Sequence, residues 1–142
     1  MKLSRLRVCK DASVRLSQLK ARTGLTPNIL CRIGFCLSLN DPSEPNPKDY
    51  PSDSDREIDR HTLTGPWDDL FVALIKERCQ HDDMELTDRV LGEQFRAHVN
   101  RGVILLHKRT RTLTDIAQLL PRELRGEAAA NLSLPDQTAT EE

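Results

Sequence analysis

Any chemistry in this chain of 142 residues has to begin from four histidines, four cysteines and a few carboxylates placed near them. His81-Asp82-Asp83 sets an imidazole and two carboxylates side by side, two-thirds of a metal shell. That triplet falls in a polar turn, where such side chains are ordinarily solvated. Asp59 and His61 stand two residues apart with no third group beside them. His98 falls beside an apolar helical stripe, the setting of a hydrogen-bonded core histidine, and His107 has no partner in sequence. Cys9, Cys31, Cys36 and Cys79 show no CxxC spacing, and three of them sit inside apolar patterns. They read as buried thiols of a reducing cytosol, not as metal ligands or disulfides. No Gly-rich phosphate loop appears. No catalytic residue, cofactor or metal is therefore assigned.

What remains is charge. The net charge is −1, but residues 1–39 carry eight Lys/Arg against one acid, a local +7. Residues 40–59 carry −5, residues 60–111 carry +1 and residues 112–142 carry −4. A basic first third followed by an acidic loop and an acidic tail points to an anionic partner for the first third. No apolar run approaches the roughly 18 residues of a membrane span.

The elements that position these charges follow from periodicity. Residues 2–9 alternate as a short strand, with Ser4, Leu6 and Val8 on one face and Leu3, Arg5, Arg7 and Cys9 on the other. No second strand is evident, so its expected partner is the same strand of another subunit. A helix follows over about 12–23, burying Ala12, Leu16, Leu19 and Thr23. Arg15, Gln18 and Arg22 share a solvated face. The stretch Leu19-Lys20-Ala21-Arg22-Thr23-Gly24-Leu25-Thr26-Pro27-Asn28 then places a stop signal against a start signal. Gly24 can close the helix in the left-handed region, Thr26 can cap the next helix, and Pro27 suits its first position.

The second helix, 27–39, is apolar on nearly every side, which implies burial on every side and a subunit interface. Residues 40–61, with four prolines, form an acidic loop. Further helices are expected from Pro66 to about Cys79, and from Thr87-Asp88 to about His107. Gly92 and Gly102 in the latter suggest close approach of another helix. A basic exit, Lys108-Arg109-Thr110-Arg111, leads to a small helix capped by Thr112 and Asp115 and stopped by Pro121. The chain reads as one mainly α domain, 1–121, whose first half is ribbon–helix–helix-like, followed by two longer helices. Residues 122–142 read as a disordered acidic tail.

Four segments carry a family resemblance: Arg5-Leu6-Arg7-Val8-Cys9-Lys10, the corner Leu19–Asn28, Thr62-Leu63-Thr64-Gly65, and Phe95-Arg96-Ala97-His98-Val99-Asn100-Arg101-Gly102. Together they resemble the bacterial DNA sulfur-modification family DndE over roughly residues 3–120. The resemblance implies a small helical protein that assembles as a homotetramer and binds DNA backbone, with preference for nicked duplex. It implies work beside DndC and DndD, where a non-bridging phosphate oxygen is replaced by sulfur. The charge pattern selects Arg5, Arg7, Arg15, Lys20 and Arg22 as the DNA-binding residues, acting on phosphates more than on bases. Two alternatives stand beside this reading. One is a sequence-specific ribbon–helix–helix regulator. The other is a DNA-nicking enzyme using Asp59, His61 or the His81-Asp82-Asp83 turn.

Overall fold

The computed structural model describes residues 1–124. It is mainly helical: β1 (Arg5–Arg7), α1 (Lys10–Thr23), α2 (Pro27–Leu39), β2 (Glu57–Asp59), α3 (Arg60–Thr64), α4 (Asp68–His81) and α5 (Asp88–Arg109). A 3-10 segment, Leu113–Leu119, follows. The tail expected over 122–142 lies outside the described residues from 125 onward. Residues 122–124 turn back, with the Leu124 N–H donating to the Pro121 carbonyl at 2.9 Å.

The first strand finds its partner within the chain, not in a second subunit. β1 runs antiparallel to β2 with Arg5 opposite Asp59, Leu6 opposite Ile58 and Arg7 opposite Glu57. The reason is cross-strand complementarity. Leu6 is buried on the core side, while the arginines of one strand meet the acids of the other, Arg7 reaching Glu57 at 3.3 Å. Such pairs are each worth a few tenths to about 1 kcal/mol. Three residues with one apolar member are too short to show alternation, so β2 was invisible to the pattern. Cys9, expected on the outer face, is buried at the start of α1, where its N–H donates to Asn100 Oδ1 at 2.9 Å.

α1 buries the expected stripe, Ala12, Leu16, Leu19 and Thr23. Gly24 closes it at φ 76°, its N–H donating to the Lys20 carbonyl at 2.8 Å. Thr26 does not cap α2 with its side chain. Its hydroxyl turns instead to Asn28 Oδ1, and the Asn28 amide reaches the Thr62 carbonyl. Arg32 bonds the Leu63 and Thr62 carbonyls at 2.6 and 3.2 Å. The corner is thus tied to the 62–65 segment.

α2 and α5 cross backbone to backbone at Gly34 and Gly102. A Cβ on Gly102 would lie 1.8 Å from the Gly34 carbonyl oxygen. Gly92 shows no such approach, the nearest atom being the Lys2 oxygen at 3.6 Å. Around the crossing, Phe35 packs on Phe95 and Phe71 with ring centroids 4.9 and 5.4 Å apart. α2 is not buried on every side: Ile29, Ile33 and Leu39 are half-buried and Cys36 is exposed. α4 starts at Asp68, after a 3-10 turn over Gly65–Trp67, so Pro66 precedes the helix.

His98 is a core residue, fully buried. The Arg101 Nε–H donates to Ser38 Oγ at 2.8 Å, and Ser38 Oγ shares a further hydrogen bond with His98 Nδ1 at 2.8 Å. Burial, followed by the charges of Arg101 and Arg78, pushes His98 down to about 3. The unfolded chain would protonate it near 6.5. Below that value the unfolded state therefore takes up a proton that the folded state refuses, and stability falls as pH falls from about 6.5 toward 3. Urea titrations should show stability declining by up to about 1.4 kcal/mol per pH unit between pH 6 and 5. A His98→Gln variant should be flatter across that window. Equal slopes would place the loss elsewhere.

Candidate nucleic-acid interface

Of the basic side chains from residue 60 onward, several are consumed by the fold. Arg78, nearly buried, donates to the Leu39, Asp41 and Ser43 carbonyls and to Asp82 at 2.8 Å. Arg101 donates to the Ser38 and Ser43 carbonyls at 2.9 and 2.8 Å. Arg96 is held by the Pro47 and Tyr50 carbonyls. Arg60 pairs with Asp68 at 2.8 Å. Its guanidinium and the Thr64 hydroxyl hold that carboxyl below the usual range. These arginines pin the acidic loop and the start of α4 to the helices. A count along the sequence therefore overstates the positive charge this part of the chain can offer a ligand.

Positive charge collects where α1 packs on the end of α5, although Arg15 there is itself paired with Asp11 at 2.7 Å. Arg15 and Arg22 of α1, with His107, Lys108 and Arg111 from the last turn of α5 and its exit, line an open depression of about 440 Å³. Arg15 Nη1 donates to His107 Nδ1 at 2.9 Å, and His107 Nε2 meets Gln18 Oε1 at 2.6 Å. These contacts hold the middle of α1 to the end of α5. Among the described residues, no hydrogen bond or ion pair engages the side chains of Arg22 or Lys108. Cations in the last turn of a helix also suit its dipole, so each helix separately explains its own arginine or lysine. Neither dipole explains why the two clusters face one another.

Two of the five expected contacts, Arg15 and Arg22, are thus brought together. Lys20 is exposed on α1 but does not line the depression. Arg5 stands opposite Asp59, and Arg7 is spent on Glu57 and on the Ser54 carbonyl at 2.9 Å. His107 and Gln18, outside those five, join them through hydrogen bonds. The signal for His107 lay in its spacing: it stands four residues before Arg111, beside Lys108.

Several of the residues that could have done chemistry are engaged in the fold, while His61, His81 and Asp83 are exposed. Asp59 caps α3, accepting from the His61 and Thr62 N–H groups at 3.1 and 3.3 Å. Asp82 is the partner of Arg78. Burial pushes Cys31 up to about 12 and Cys79 up to about 11, so both thiols stay protonated. Cys36, expected inside, instead borders a surface groove. Among the described residues, no three His, Cys, Asp or Glu side chains gather as metal ligands would.

That groove, about 770 Å³, lies between α2, α4 and the 3-10 segment, and its walls include Ile33, Leu37, Trp67, Leu70, Ile116 and Leu120. Trp67 and Leu70 are each about half exposed, 56% and 52%, so an aromatic and a branched aliphatic face solvent side by side. Among the described residues no helix is long and apolar enough to cross a membrane.

The model of the family described as DNA sulphur modification protein DndE matches residues 5–113. Among solved structures, DndE from Escherichia coli B7A, involved in DNA phosphorothioation modification, is similar. It shows 25% identity and a TM-score of 0.61 over 75% of this chain and 99% of that one. A mutant DndE involved in DNA phosphorothioation matches with the same TM-score, 0.61, and the same coverage of 75% and 99%, at 23% identity. That second likeness speaks to the fold alone. No curated protein sequence matches the chain.

Proposed function

Because the chain belongs to the DndE family of DNA sulphur modification proteins, we propose that it is the non-catalytic DNA-binding subunit of the phosphorothioation machinery. It holds duplex by the phosphate backbone, with preference for nicked DNA, in the cytoplasm and beside DndC and DndD. The observation that carries this reading is the depression between α1 and α5, where Arg15, Arg22, Lys108 and Arg111 converge. Lys20, exposed on α1, extends the same basic helix. Guanidinium and ammonium groups so placed contact phosphates without reading bases. Two observations favour it over the alternatives. A groove-reading ribbon would need β1 free, and β1 is paired with acidic β2. Of the groups a nicking reaction could use, Asp59 and Asp82 are already engaged, while His61, His81 and Asp83 are exposed and no three such groups gather as metal ligands among the described residues.

The test is fluorescence anisotropy on intact and nicked duplexes of unrelated sequence at several salt concentrations. Affinity should be nearly independent of sequence, tighter on nicked DNA, and steeply salt-dependent, at about −0.9 in log affinity per log salt for each phosphate neutralised. Absence of binding at low salt would sink the reading. Relaxation of supercoiled plasmid with Mg²⁺ would show that the subunit is catalytic.

The homotetramer is proposed to form through the groove of Trp67 and Leu70, whose exposed apolar side chains a second copy would cover. Light scattering should give a mass well above the monomer for the wild type. Trp67→Glu with Leu70→Glu should lower that mass while helicity by circular dichroism persists, because both side chains already face solvent in the single chain. A monomeric wild type would refute the assembly.

A further inference from the structure

His107 occupies an unusual place in the depression. An arginine can only donate, so the contact from Arg15 makes His107 Nδ1 an acceptor. The ring proton then sits on Nε2 and is donated to Gln18 Oε1. The imidazole is held neutral, in one tautomer, by two residues of α1. Partial burial first, then the charges of Arg15 and Arg22, lower its affinity for a second proton, and Asp11 opposes them. Asp11 is itself paired with Arg15 at 2.7 Å. From its own helix and exit, Lys108 and Arg111 line the same space. Protonation at Nδ1 would set an N–H against the Arg15 N–H and release that guanidinium from the ring.

We propose that the depression seats one phosphoryl group, and that filling it draws a proton from solvent onto His107 Nδ1. An anion among Arg15, Arg22, Lys108 and Arg111 offsets the field that keeps the imidazole neutral. Arg15, displaced from the ring, turns to the anion, so the ligand gains two donors in place of one internal hydrogen bond. By linkage, binding strengthens as pH falls through the neutral range. The inference rests on the reading that this surface holds DNA phosphates, and names the residue that makes the hold respond to pH. The phosphoryl group can be an internal diester or a terminal monoester at a nick, and the two are separable.

The experiment measures anisotropy from pH 8 to pH 6 at constant ionic strength, for wild type and His107→Gln, with circular dichroism to confirm that the variant folds. Three duplexes are compared: intact, nicked with a 5′-phosphate, and nicked with a 5′-hydroxyl. Wild-type affinity should rise about fivefold across the range, and His107→Gln should be flat. Linkage on all three duplexes assigns the seat to a backbone diester; linkage confined to the 5′-phosphate nick assigns it to a terminal monoester. In parallel, NMR follows the His107 ring with and without duplex, and with sulfate, a dianion that does not titrate in this range. Either ligand should move the ring's titration to higher pH. DNA binding without pH dependence, or with equal dependence in His107→Gln, overturns the proposal. If no duplex binds but sulfate still shifts His107, the seat stands and the DNA reading falls. If no duplex binds and sulfate leaves His107 unmoved, both fall.

Discussion

Gly102→Ala is expected to cost the fold about 3 kcal/mol or more, a large share of its stability. The added Cβ would lie 1.8 Å from the Gly34 oxygen and 2.1 Å from its carbonyl carbon. Those are backbone atoms inside a helix, so no side chain can rotate to make room. α2 and α5 would have to part, loosening Phe35 from Phe95 and Phe71 at the centre of the core. Overpacking costs about 1–3 kcal/mol where side chains can adjust, and a clash between two helix backbones should reach or exceed the top of that range. Total stability of a small domain is only about 5–15 kcal/mol. Gly92→Ala is the matched control, since its Cβ would meet nothing closer than the Lys2 oxygen at 3.6 Å. There the alanine should be neutral or stabilising by up to about 1 kcal/mol, through helix propensity. Thermal melts of the two variants beside wild type check both. A Gly102→Ala melt matching wild type would mean the crossing is looser than described.

Reversing two charges in the depression, Arg22→Glu with Lys108→Glu, should weaken binding to every duplex by about two orders of magnitude at low salt. It should also make the salt dependence shallower by about 2 in slope, one unit for each lost phosphate contact. Both side chains are exposed, and neither is engaged by another described residue, so the fold should survive. Arg15 is a poorer choice for this test, because it also ties α1 to Asp11 and His107. Arg7→Ala should cost binding much less, since that guanidinium is already committed to Glu57 and Ser54. Anisotropy at several salt concentrations measures all three. A double variant that binds as wild type at every salt would move the DNA surface away from α1 and α5.

Periodicity and local stereochemistry were enough for the helices. Apolar spacing gave the buried stripe of α1 residue for residue, and Gly24 marked its end. Thr112 and Asp115 make the capping box that their spacing suggested. The poor helix propensity of Gly102 announced a close crossing. The charge pattern also singles out α1, which supplies Arg15 and Arg22 to the depression. Each of these is a property of neighbours in the chain, repeated every turn or set by one backbone conformation, and so is written locally.

Tertiary structure decided the rest. β2 exists because three residues find Arg5, Leu6 and Arg7 across about 50 positions of chain, and no local pattern encodes that pairing. Arg60, Arg78, Arg96 and Arg101 look in sequence like Arg22 or Lys108, yet carbonyls remote in the chain engage all four, with Asp68 and Asp82 close by in sequence pairing two of them. Gly92 and Gly102 look alike, and only the path of α2 separates them. The facing of Arg15 and Arg22 toward His107, Lys108 and Arg111 depends on how α1 lies along α5. The sequence by itself determined which segments are helical and where positive charge is plentiful, because propensity and composition are local. Which charges remain free, and which of them converge, was settled by long-range packing and hydrogen bonding.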